Sequence, residues 1–91
     1  MDAAPAHLSA AAQDAWVELV GGLDAGSVTG ATAGSIEAYA VQVARMRDAQ
    51  RRIDAEGLVV ADAKGQPMPH PAIVIERAAQ AEVRAWAARI S

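Results

Sequence analysis

The chain has 91 residues, a formal net charge of −3 and no cysteine. This length predicts one domain, residues 1–91, near the lower size limit for a self-sufficient core. The lack of cysteine excludes a disulfide framework and thiolate metal sites, and no apolar run is long enough to predict a membrane span, so we expect a soluble, intracellular protein. The negative charge argues against a broadly basic nucleic-acid binder but leaves room for a local basic patch.

The first predicted helix covers residues 9–23 and follows a short, Ala- and Pro-rich N-terminus, residues 1–7, that we expect to be flexible. Ser9 has the side chain of an N-cap, because its hydroxyl can accept from the free amides at a helix start. Apolar residues recur on one side of this helix at Leu8, Ala12, Ala15, Trp16, Leu19, Val20 and Leu23.

The second predicted helix is the longest, residues 32–56, and Gly57 is placed to end it. It follows a turn-rich connector, residues 24–34, in which Thr29 and Thr32 are both candidate N-caps. A connector of this length predicts that the first two helices fold back antiparallel. The main apolar stripe is formed by Ile36, Tyr39, Ala40, Val43, Met46 and Ile53, with Gln50 as its polar member.

A second apolar side is present on the first half of the long helix, at Ala38, Val41 and Ala44. A helix that is apolar on two sides needs two packing partners. One should be the first helix, and the other either the third helix or a neighbouring subunit. The small core of this Ala-rich, aromatic-poor chain also makes oligomerisation a reasonable expectation.

Residues 58–68 predict a short β-hairpin or extended loop, with a turn from Asp62 to Gly65. Pro67 and Pro69 lack amide donors, so any second strand should be an edge strand. A third helix follows over residues 71–90, with Pro71 at its first position. Its predicted buried stripe is Ile75, Ala79, Val83, Trp86 and Ile90.

The predicted fold is therefore mainly α: an antiparallel helical hairpin with a long central helix, a short β-hairpin or extended loop, and a third helix. No catalytic constellation, phosphate-binding glycine loop or metal-ligand pair is recognisable, so we expect a non-enzyme without cofactor or metal. His70, between two prolines, is expected to cap the third helix through a ring nitrogen.

The basic residues of the long helix have two interpretations. Arg47 and Arg51 lie four residues apart beside the apolar stripe, while Arg52 lies on another side and Asp48 stands between them. The simpler interpretation is a solvated helix face with i,i+4 ion pairs. The alternative is contact with phosphates, to which Lys64 at the exposed hairpin tip would add.

Several short motifs occur in an order that resembles one family. They are Leu8-Ser9, Trp16, Thr29, the residues from Ile36 to Ala40, the residues from Gly57 to Val60, Gly65, and His70-Pro71-Ala72. Together they resemble the short-chain branch of the phage terminase small subunits, over roughly residues 8–86.

The resemblance implies a non-catalytic protein that forms a ring of identical subunits in the cytoplasm of the bacterial host. Such proteins engage double-stranded viral DNA and recruit and regulate the terminase large subunit, the ATPase and nuclease. Thr29 would cap the long helix. On this interpretation DNA contacts are expected at Arg47, Arg51, Arg52 and Lys64, and subunit contacts at Ala38, Val41 and Ala44.

Two features depart from the family pattern. Thr32 stands where relatives often carry an acidic residue, and the chain stops at Ile90-Ser91 without the usual Leu-Gly-Leu, proline and arginine tail. We therefore expect either a trimmed chain or a lost binding element. The alternative function is a small helical protein–protein interaction module of the secreted WxG type. Against it, that class has its Trp-x-Gly at the turn between helices, whereas Trp16 lies inside the first helix.

Overall fold

The computed structural model describes residues 4–23, 28–30 and 32–90, and in these ranges it confirms a mainly α fold. The elements in chain order are α1 (Ala10–Gly21), α2 (Ala33–Glu56), β1 (Val59–Ala61), β2 (Pro67–Pro69) and α3 (Ala72–Ile90). Parts of the predicted flexible N-terminus and connector, residues 1–3, 24–27 and 31, lie outside the described residues, as does the last residue of the chain.

Side-chain and backbone capping sets both ends of α1. The Ser9 hydroxyl accepts a hydrogen bond from the Ala12 amide at 3.2 Å, which confirms Ser9 as the N-cap. The helix ends at Gly21, because the Gly22 amide bonds back to the Leu19 carbonyl in a tighter turn. The face of α1 that α2 covers is formed by Ala12, Ala15, Trp16 and Val20.

The start of α2 differs in detail from the predicted capping. Thr32 occupies the N-cap position, but its hydroxyl accepts from the Thr29 amide at 2.9 Å rather than from an amide of the helix. The Thr29 hydroxyl in turn accepts from the Thr32 amide at 3.3 Å. This reciprocal pair resembles a capping box in which threonine replaces the usual acidic partner. Both threonines therefore fix the entry into α2.

The long helix α2 is the central element, and both α1 and α3 pack on it. One buried cluster joins α1 to the first half of α2, where Ile36 and Ala40 have no exposed surface. Val83 and Ile90 of α3 pack against this same cluster. A second cluster near the end of α2 is formed by Ala49, Ile53 and Ala72, with Ile73 packed against it. The start of α3 thus meets the end of α2, and the two helices run antiparallel.

Two features of the core differ from the predicted stripes. Ala49 was missing from the predicted stripe of α2, yet it is only 3% exposed. Ile75 was predicted to be buried, and this was wrong because its side chain is 54% exposed. Ile75 lies on the wall of an open groove between α2 and α3, opposite Gln42 and Arg45. The buried stripe of α3 begins instead at Ala72, which faces Ala49 and Ile53.

The β-hairpin forms with Val59 opposite Pro69, Val60 opposite Met68 and Ala61 opposite Pro67. Its turn is held by Asp62, whose carboxylate accepts from the amides of Lys64 and Gln66, each at 2.8 Å. Gly65 has a φ of +80°, a conformation that only glycine adopts easily. Gly57, which ends α2, has a φ of +90° for the same reason. Gly57 thus allows the turn from α2 into β1, and Gly65 allows the turn from β1 into β2.

His70 joins the hairpin, α2 and α3 at one point. It is 7% exposed, and its Nδ1 accepts the Ala72 amide at 2.9 Å, which confirms the predicted cap of α3. An accepting Nδ1 leaves the ring proton on Nε2, which faces the Glu56 carboxylate at 3.2 Å. The His70 amide also donates to the Leu58 carbonyl at 2.8 Å. One residue therefore closes the hairpin and starts the helix.

We predict that His70→Ala lowers the free energy of unfolding by about 1–3 kcal/mol, because it leaves the buried Ala72 amide without an acceptor and removes packing volume. His70→Asn should cost clearly less, since an amide oxygen can replace Nδ1 as acceptor. Urea unfolding followed by circular dichroism measures both. His7→Ala is the matched control, because His7 contacts Glu37 with a side chain that is 72% exposed. Equal losses for His70→Ala and His7→Ala would contradict the capping role.

Candidate nucleic-acid interface

The three predicted DNA-contacting arginines lie on α2 and are all ion-paired. Arg47 reaches across to Glu18 of α1, with 2.7 Å between Nη2 and Oε2. The carboxylate of Asp48 pairs with both of the other arginines. The distance is 3.0 Å from Arg52 Nε to Asp48 Oδ2 and 3.5 Å from Arg51 Nη2 to Asp48 Oδ1. All of these side chains are more than 40% exposed, so each pair is worth little in stability. The solvated ion-pair interpretation therefore describes the unbound protein.

Lys64 lies apart from the arginines, at the exposed tip of the β-hairpin. Its amide is held by Asp62, and no ion pair engages its ammonium group within the described ranges. The backbone of the tip is thus held by hydrogen bonds to Asp62, and the tip carries one positive charge. These four basic residues lie at two positions, the second half of α2 and the hairpin tip.

A groove of about 410 Å³ runs between the start of α1 and the middle of α2. Val41 and Ala44 line it, and Arg45, Asp48 and Arg51 also border it. The structure therefore brings one predicted DNA residue, Arg51, and two predicted subunit-contact residues, Val41 and Ala44, to the same surface. A partner seated in this groove would meet an apolar base and a charged border.

The predicted second apolar side of α2 is only partly covered. Ala44 is 9% exposed, whereas Ala38 and Val41 are half-buried. Both α1 and α3 pack on α2, so both predicted helical partners are present within the chain. Ala38 and Val41 nevertheless keep exposed surface after that packing.

Arg45 is a residue that the sequence reasoning left out of the site. It is exposed, it borders the first groove, and it also borders a second groove of about 260 Å³ between α2 and α3. Within the described residues it has no ion pair, unlike Arg47, Arg51 and Arg52. No sequence signal marked it, because Asp48 stands three positions away on the same helix but pairs with Arg51 and Arg52 instead.

The charged side chains of this surface can make ionic contacts with a binding partner. Among the described residues, no three His, Asp or Glu side chains come together to hold a metal ion. The charged groups are surface arginines whose carboxylate partners a phosphate can replace. What the site can do is exchange an internal ion pair for a contact with a polyanion.

None of the helices in the described ranges combines the length and apolarity that crossing a bilayer requires. No significant match to the chain is found among curated proteins or among solved structures. A family model described as phage terminase, small subunit, matches residues 12–91. This match spans α1 from its third residue onward, α2, the hairpin and α3. The chain therefore belongs to the family of phage terminase small subunits.

Proposed function

We propose that the protein is the non-catalytic adaptor of a phage packaging machine. It engages double-stranded viral DNA in the cytoplasm of the bacterial host, and it recruits and regulates the terminase large subunit, the ATPase and nuclease. The family match over residues 12–91 carries this proposal. The surface supports it, because the grooves beside α2 are open and charged at their borders rather than enclosed like a substrate pocket.

The alternative, a secreted helical interaction module, has less support. That class needs its tryptophan at the turn between two helices. Here Trp16 lies in the middle of α1 and is 3% exposed in the core beside Ile36 and Ala40. The hairpin and α3 also have no place in such a module.

DNA contact is proposed through Arg47, Arg51 and Arg52 on α2 and Lys64 on the hairpin tip. Arg45 joins this set because it is exposed and outside the ion pairs that engage its neighbours. Phosphate contacts of this kind give affinity and salt dependence without reading sequence. Asp48 is the internal competitor, since its one carboxylate holds both Arg51 and Arg52.

Self-association is proposed through the second apolar side of α2, Ala38, Val41 and Ala44, of which Ala38 and Val41 keep exposed surface. Small residues there let a neighbouring helix approach closely. The groove that contains Val41 and Ala44 is open along α1, so an element from another subunit can reach it. A closed ring of such contacts is the assembly we propose.

We predict that the purified chain binds its cognate large subunit and changes its ATPase rate. Co-purification and a coupled ATPase assay measure these two effects, and the large subunit of an unrelated phage is the control. The proposed adaptor role would be abandoned if the cognate large subunit neither retained the chain nor changed its rate of hydrolysis.

We predict that Arg51→Glu with Arg52→Glu weakens DNA binding and reduces the slope of log affinity against log salt by about two, one per lost phosphate contact. Fluorescence anisotropy with duplex DNA at several salt concentrations measures both quantities. Arg77→Glu with Arg84→Glu on the exposed surface of α3 is the matched control, because the change in net charge is identical.

Asp48→Asn supplies an opposite test of the same site. It releases both arginines from their carboxylate and should raise DNA affinity. If the α2 and α3 double variants lose affinity equally, binding follows net charge and the proposed site on α2 is wrong.

We predict that light scattering after size exclusion finds a discrete assembly larger than a dimer, at low and at high salt. Val41→Glu should shift the mass downward, because it places a charge in the proposed apolar contact. Val17→Glu is the matched control, since Val17 is 61% exposed on α1. A monomeric parent chain, or equal effects of the two variants, would count against this interface.

A further inference from the structure

The two long edges of the β-hairpin are chemically unequal. The Asp62 amide donates to the Gln66 carbonyl, and the His70 amide donates to the Leu58 carbonyl. Along an antiparallel ladder, hydrogen-bonded pairs alternate with pairs that are not hydrogen-bonded. Val60 and Met68 lie midway between these two bonded pairs, so their backbone amides and carbonyls also point into the hairpin. The remaining pairs, Val59 with Pro69 and Ala61 with Pro67, turn their backbone groups outward.

The outer edge of β2 therefore offers no amide donor, because both of its outward positions are prolines. The outer edge of β1 offers two amides and two carbonyls, from Val59 and Ala61. Within the described residues the sheet has only these two strands, so nothing there pairs with that edge. An unpaired donor–acceptor edge is a template for a further strand.

The surface around this edge is apolar. Val59, Ala61, Pro67 and Pro69 share one side of the hairpin and are all exposed, with Val59 at 62%. An isolated two-stranded hairpin is marginally stable, whereas a sheet of three or more strands is stabilised by its added pairing. The hairpin thus has both a free edge and a physical reason to extend its sheet.

We propose that the β1 edge pairs with the β1 edge of a second copy of this chain, antiparallel and about a two-fold axis at Val60. This register sets Val59 of each copy opposite Ala61 of the other and uses all four outward groups of both strands. The proline edge of β2 blocks the other arrangement, in which hairpins add head to tail. The contact therefore joins copies in pairs and does not propagate.

Charge complementarity favours a second copy as the occupant. Residues 58–61 carry no charge, so antiparallel pairing opposes no like charges along the strand. The same pairing brings the tip of each hairpin, with Lys64, alongside the base of the other, where α2 ends with Asp54 and Glu56. Within the described residues neither Lys64 nor Asp54 has an ion-pair partner in its own chain.

This contact is distinct from the one proposed at Val41, which lies on α2. It also does not depend on the proposed packaging function, because it rests on the backbone, the exposed apolar side chains and the charges in and around the hairpin. Failure of DNA binding, of large-subunit binding or of the Val41 interface would leave it standing.

The test uses single cysteines, which the chain otherwise lacks. Val60→Cys places two thiols across the axis at a pair that is not hydrogen-bonded, where Cα atoms lie about 4.5 Å apart and a disulfide fits. Val59→Cys, the matched control, holds its thiols about 8 Å apart at the Cα atoms, beyond disulfide reach. Under mild oxidation at micromolar protein concentration, we expect Val60→Cys to form covalent dimer at least about tenfold faster than Val59→Cys.

A second substitution separates edge pairing from chance collision. Ala61→Pro removes an outward amide and leaves the β1–β2 hydrogen bonds intact, so it should weaken the pairing roughly 30-fold through one lost bond per copy. Added to Val60→Cys, it should abolish rapid cross-linking. Equal cross-linking rates for the two cysteine variants, or a rate that Ala61→Pro leaves unchanged, would overturn the proposal.

Discussion

The fold depends on one constraint, which is that α2 packs against two other helices of the same chain. Ile36 and Ala40 face α1, and the end of α3 packs on the same cluster. Ala49 and Ile53 face the start of α3 instead. At about 1.5 Å per residue, α2 is roughly 36 Å long, while the 12 residues of α1 cover only about 18 Å of it. α1 therefore covers only about half the length of α2, and open grooves lie along α2 beside α1 and beside α3.

The path from α2 to α3 is fixed by local chemistry rather than by a large core. Gly57 turns the chain out of the helix, Gly65 reverses it at the tip, and His70 bonds to the hairpin, to α2 and to the first turn of α3. Because these are backbone and hydrogen-bond constraints, the hairpin can remain exposed and still hold one direction. This is the property that makes its β1 edge a defined surface for another strand.

The sequence was sufficient for the fold class because helix periodicity, Ser9, Gly57 and the two prolines are local signals. It was insufficient to predict burial where the packing of two helices decides it. Ile75 lies on the apolar face of α3, but it borders an open groove between α2 and α3 and is therefore exposed. Ala49 was missed because a small residue gives little hydrophobic signal and is buried by tertiary contacts in a cluster with Ile53, Ala72 and Ile73. The pairing of Arg47 with Glu18 was equally hidden, since it joins different helices.

The electrostatics of α2 link DNA engagement to assembly in the proposed function. Each chain is net negative, and a phosphate that binds Arg51 or Arg52 must displace Asp48 from an existing ion pair. The gain per contact is therefore smaller than for a free arginine, and a single chain offers few such contacts. A symmetric assembly repeats the same small set around one DNA, so that the second and later contacts form at high effective concentration. On this view, self-association supplies the affinity that the charge of one subunit cannot, and loss of assembly should reduce DNA binding even where every arginine is intact.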